Sequence, residues 1–99
     1  MGAKAEFAVF YTPVRPTFLE DASQEELAVV DQHFDYLKAA LDRGQLILAG
    51  RRLDKAIGIG VFEADDEPAA ERFVNNDPAV RAGVFKADVG PYRVALLRT

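Results

Sequence analysis

Ninety-nine residues, 49% of them apolar, suffice for one hydrophobic core and are too few for two, so a single domain over residues 1–99 is expected. Sixteen acidic against twelve basic residues leave a net charge of −4, and the basic residues are scattered along the chain, which excludes the concentrated positive surface of a nucleic-acid binder. With no cysteine and a single histidine, disulfides, thiolate metal centres and multi-histidine sites are excluded, and neither a metal ion nor a redox cofactor is expected. No stretch approaches the roughly 18 apolar residues of a membrane span, and no basic-then-apolar leader opens the chain, so a cytoplasmic protein without membrane contact is expected.

Residues 6–12, EFAVFYT, are aromatic and β-branched, with Phe7, Val9 and Tyr11 on one face and Ala8 and Phe10 on the other, which predicts a first strand near 5–12 that is apolar on both sides. TPVRPTFLEDA follows, and its two prolines predict a surface loop carrying Arg15. Residues 23–44, SQEELAVVDQHFDYLKAALDRG, hold a complete set of helix signals. Ser23 with Glu26 three residues on is a capping box, Gly44 closes the other end, and Leu27, Val30, Phe34, Leu37 and Leu41 recur as one stripe to face a core. His33 sits on the shoulder of that stripe. QLILAG, residues 45–50, is a short apolar run ended by glycine and predicts a second, buried strand; IGIGVFEA predicts a third near 56–64, with Gly58 and Gly60 leaving one face bare.

The acidic run Asp65, Asp66 and Glu67 with Pro68 marks a helix start near 66, whose stripe of Ala69, Ala70, Phe73 and Val74 runs to about residue 76. Asp77 before Pro78 reads as the cap and first residue of a single helical turn ended by Gly83. Residues 85–97 are expected to form a fourth strand, with Gly90-Pro91 marking a bulge or an edge position. The order β-α-β-β-α-β is the ferredoxin-like split βαβ arrangement, an α+β fold with a four-stranded antiparallel sheet and both helices on one face. The other face would leave apolar surface wet, and a second copy of the chain is the expected cover.

The run HFDYLKAALDRGQLILAG, followed by IGIGVFEADDEPAAERFVNNDPAVRAGVFKADVGPYRV, resembles the YCII-related (YciI-like) domain family over nearly the whole chain. The family's helix histidine, strand-ending Ala-Gly, Asp-Pro dipeptide and following Ala-Gly fall here on His33, Ala49-Gly50, Asp77-Pro78 and Ala82-Gly83. The resemblance implies a dimeric α+β barrel with a His–Asp active site, and a few relatives are associated with dehalogenation or isomerisation of aromatic-ring breakdown products. One departure is that Gly50-Arg51-Arg52 stands where many relatives have Gly-Pro, which makes the mouth of any pocket more cationic.

Two classes of function follow. In the first, His33 is a general acid/base oriented by Asp77, with Arg15, Arg51 and Tyr36 as candidate substrate contacts, and the reaction is of lyase, isomerase or dehalogenase type on an aromatic-breakdown or lactone-like small molecule. In the second, the chain is a non-catalytic dimeric ligand-binding or accessory module on the same fold. A histidine on a helix shoulder has a structural hydrogen bond as its alternative role, capping alone accounts for Asp77, loop arginines have a solvated role, and Tyr36 has core packing. Gly58-Ile59-Gly60 is no nucleotide loop, because Glu63 occupies the third glycine position and the motif lies within a strand.

Overall fold

The structure, a computed structural model, describes residues 4–98. Strand β1 (Ala5–Pro13) lies inside a sheet of order β2-β3-β1-β4, paired antiparallel on one side with β3 (Gly58–Ala64) and on the other with β4 (Phe85–Pro91); β2 (Leu46–Arg51) pairs antiparallel with the outer side of β3. Alternation along β1 puts Phe7, Val9 and Tyr11 on one face, opposite Phe62, Gly60 and Gly58 of β3 and Pro91, Val89 and Ala87 of β4. This face is the core. It packs against Leu37 and Ala40 of α2 (Gln24–Asp42) and Ala70, Phe73 and Val74 of α3 (Glu67–Asn75), with Phe62 sealed completely at the centre. The glycines of β3 make room for β1: a Cβ at Gly60 would lie 3.2 Å from Val9 Cγ1. Both long helices therefore lie on one face of an antiparallel sheet, the ferredoxin-like α+β arrangement.

The helix ends follow their local chemistry. Ser23 Oγ accepts from the Glu26 amide at 3.1 Å while the Glu26 carboxylate accepts from the Ser23 amide at 2.8 Å, so two N–H groups of the first turn are satisfied. Gly44, at φ +79°, terminates α2 in the left-handed region that suits glycine. Asp66 caps α3 through the Ala69 amide, and Asp77 caps the single turn α4 (Pro78–Arg81) through the Ala79 amide, each at 2.9 Å. Among the described residues no helix is long and apolar enough to cross a membrane.

Four expectations are corrected. The proline-containing segment holds a helical turn, α1 (Phe18–Asp21), because Pro16 lies before the turn and blocks none of its hydrogen bonds; Phe18 is buried edge-on against Phe85 at 5.6 Å. Strand β4 stops at Pro91 and not near residue 97, because proline has no N–H to donate and β1 has almost run out. Beyond it, the Tyr92 amide reaches the Glu6 carbonyl at 3.0 Å and the Val94 amide the Glu6 carboxylate at 2.9 Å. Strand β2 is an exposed sheet edge rather than a buried strand. The apolar stripe of α2 is only partly core: Phe34 is 64% exposed and Leu41 51%, because they overhang β2, and no strand lies beyond it to cover them.

Candidate functional site

His33 stands mid-way along α2 and Asp77 starts α4, 44 residues later, and packing of these two helices on each other brings their side chains together: His33 Nδ1 and Asp77 Oδ2 are 2.6 Å apart. Asp77 is fully buried, and its other oxygen accepts from the Ala79 amide. A carboxylate on Nδ1 holds the proton there, so the lone pair of the neutral ring is on Nε2. That atom makes no hydrogen bond to any described residue. The ring is held edge-on by Tyr11, with centroids 4.8 Å apart, and by Phe85 at 5.3 Å.

His33 borders a cavity of about 420 Å³ between α2, the start of β4 and the edge of the sheet. Its walls are mostly apolar, from Phe18, Val30, Phe34, Leu37 and Ile57 among others, and its charged members are Arg51 and Lys55. A break in strand pairing brings Arg51 there. Leu46 pairs with Phe62 but Leu48 with Val61, so one extra residue, Ile47, is inserted, and Ala49 and Arg51 then pair with Gly60 and Gly58 on the helix-covered face. Among the described residues no three His, Cys, Asp or Glu side chains converge in a way that could hold a metal ion.

The remaining sequence candidates fall elsewhere. Arg15 is absent from the cavity wall; its guanidinium donates to Glu26 at 2.6 and 3.1 Å and to Asp21 at 2.6 Å, tying the β1–α1 loop to the start of α2. Tyr36 also lies outside the wall, its hydroxyl donating to the Phe73 carbonyl at 2.7 Å, and burial followed by the Asp77 charge raises its pKa. The Arg15 hydrogen bonds, helped by the Ser23 amide, lower the Glu26 carboxyl from 4.5 to about 2. Because the folded value is the depressed one, the contribution of this cluster is complete above pH 4.5 and is lost as pH falls through about 2. Thermal midpoints taken down this range should fall, and the fall should shrink in Glu26→Gln; an equally steep fall in that variant would place the acid sensitivity elsewhere.

Sequence reading assigned Tyr11 only to a strand face and passed over Lys55 and Phe85. Tyr11 could have been found as the core-face residue of β1 with a polar tip. Its hydroxyl is buried and makes no hydrogen bond among the described residues, and burial, then the nearby Asp77 charge, holds the phenol well above the ordinary tyrosine range. A buried hydroxyl left unbonded costs about 1–3 kcal/mol. Tyr11→Phe should therefore be neutral or stabilising by up to about 1 kcal/mol in urea unfolding, and a larger loss would mean that the hydroxyl is bonded to Asp77 in solution.

Fold and site together define a small α+β protein with a buried carboxylate behind a histidine at the wall of an apolar cavity. The chain belongs to the YCII-related domain family, whose pattern matches residues 7–90. Among solved structures, it is similar to the 5-chloro-2-hydroxyhydroquinone dehydrochlorinase of Burkholderia phenoliruptrix AC1100 in complex with 2,5-dihydroxybenzoquinone, with 23% identity, a TM-score of 0.66 and coverage of 88% of this chain and 93% of that one. A conserved protein from Methanosarcina mazei Go1 is similar at 18% identity and a TM-score of 0.49, over 91% of this chain and 92% of that one. No curated protein matches the sequence.

Proposed function

We propose that the protein is a small-molecule enzyme in which Nε2 of His33 exchanges a proton with a ring compound held in the cavity, while Asp77 fixes the tautomer and stabilises the imidazolium. The observation that carries this reading is the 2.6 Å contact between a histidine on the cavity wall and a fully buried carboxylate. Imidazole suits proton transfer near neutral pH, and this chain has one. The reaction is of lyase, isomerase or dehalogenase type: His33 takes a proton from a ring C–H or O–H, and the electron pair either expels a neighbouring halide or moves along the ring so that the proton returns at another atom. The dehydrochlorinase among the structural neighbours supports a single-ring substrate of aromatic breakdown, and a cavity of this size is ample for one ring. The test is chloride release from 5-chloro-2-hydroxyhydroquinone and isomerisation of a small unsaturated lactone, followed in wild type and His33→Gln. Turnover in the first and not the second supports the proposal; binding of 2,5-dihydroxybenzoquinone without turnover, equal in both, makes the protein a binding module instead.

We infer further that two copies pack through the helix-free sheet face. Phe10 is 44% exposed on that face beside the half-buried Ile59, and a twofold contact is the usual closed cover for apolar surface of this kind. Sedimentation should show a dimer at micromolar concentration and a monomer for Phe10→Glu, and a wild-type monomer there would contradict this.

A further inference from the structure

We propose that the cavity takes its ligand as an anion, with a carboxylate or comparable oxyanion on Arg51 and Lys55 and the uncharged part of the ring turned inward to His33. This rests on the reading of the His33 cavity as the substrate site and adds the ligand's charge and orientation to it.

Four observations converge. The cavity wall contains no Asp or Glu, while Arg51 and Lys55 both belong to it. Neither makes an ion pair or side-chain hydrogen bond with a described residue, so both remain available to a ligand at the wall. The segment joining β2 to β3 has one acid, Asp54, and Arg52 holds both of its oxygens, at 2.9 and 2.5 Å, so no local carboxylate is left for Arg51 or Lys55. The same segment is fixed by the Arg52 amide on the Ile57 carbonyl and the Ile57 amide on the Lys55 carbonyl, each at 2.9 Å, and the extra residue in β2 puts Arg51 on the cavity side. Two positive charges without a carboxylate partner among the described residues thus line one apolar cavity of a chain whose net charge is −4.

The chemistry of the two cations suits one oxyanion. A guanidinium offers paired N–H donors that match the two oxygens of a carboxylate, and an ammonium supplies a compact charge beside it. Apolar walls on the inward side favour the ring and disfavour a second charge there, so the anion lies with the cations and the ring carbons lie nearer Nε2.

Calorimetric titration of the full chain with 4-hydroxybenzoate and with its uncharged counterpart 4-hydroxybenzyl alcohol tests this. The anion should bind about tenfold or more tightly than the alcohol at low salt, with the difference shrinking as salt screens the contact. Arg51→Gln and Lys55→Gln should each remove part of that preference and the double variant all of it, while the alcohol still binds every variant, which reports an intact cavity. Equal affinities in wild type, no binding of the anion, or a preference that survives in the double variant would overturn the proposal. His33→Gln should keep the preference, so a protein that selects the anion and turns nothing over defeats the acid/base reading and leaves this one standing.

Discussion

His33→Gln should lower turnover by roughly 10²–10⁴-fold, the range for loss of a general acid/base, while unfolding close to wild type. Glutamine keeps an N–H that can reach Asp77 Oδ2 and fills similar space, but it cannot carry a proton to and from a substrate. The more obvious exchange, His33→Ala, confounds two effects. It would leave the Asp77 carboxylate, fully buried, with the Ala79 amide as its remaining donor. Leaving a buried carboxylate without its partner costs about 3–5 kcal/mol, and the low end applies here because water can enter beside a ring whose side chain is 14% exposed. Urea unfolding of both variants beside single-turnover rates separates the two, and wild-type turnover in His33→Gln would end the catalytic role of the ring.

Asp77→Asn should retain the fold and still lose most activity. Both carboxylate oxygens are occupied, one by the Ala79 amide and one by His33 Nδ1. An asparagine has one acceptor oxygen. If that oxygen keeps the helix cap, the amide N–H₂ faces Nδ1, which must then accept; the ring proton moves to Nε2 and the lone pair is lost from the cavity side. A tautomer change of this kind costs on the order of 10⁴-fold in the serine-protease triad, and a loss of about 10²–10⁴-fold is expected here, larger than a mere weakening of orientation would give. Stability should fall by about 1 kcal/mol. Asp77→Ala, by contrast, removes the cap as well as the partner of Nδ1–H and should cost about 3 kcal/mol. Nitrogen chemical shifts of the His33 ring give a readout independent of turnover: an unchanged tautomer in Asp77→Asn would refute this account.

The parts of the fold that could be read from the chain are those governed by neighbours within about four residues. The Ser23–Glu26 box, the Asp66 and Asp77 caps, Gly44 and Gly83 at positive φ, and the alternation of Phe7, Val9 and Tyr11 are all of this kind. What could not be read depends on where an element lies in the sheet. Phe34 and Leu41 carry the right periodicity for a core and are exposed because β2, beneath them, is an edge. The length of β4 depends on where its partner β1 ends as well as on Pro91. For the site, His33 and Asp77 were each marked by residue type and by a family resemblance, but their contact is made by the packing of α2 on α4 and has no signature in local sequence. Arg15, expected as a substrate contact, is instead bound to Glu26 and Asp21, which are ordinary helix-start acids until the loop folds back over them.

The single inserted residue in β2 makes the site a matter of counting as well as of chemistry. Side chains on a strand change sides at every step, so pairing Ile47 into a regular ladder, with no residue exchanged, would turn Ala49 and Arg51 to the opposite surface of the sheet, whereas deleting it would heal the bulge and leave Arg51 opposite Gly58. The bulge at Ile47 is then as much a determinant of what this cavity can hold as the identity of Arg51. A relative carrying the same arginine one position out of step with β3 would present it on the helix-free face of the sheet rather than at the cavity.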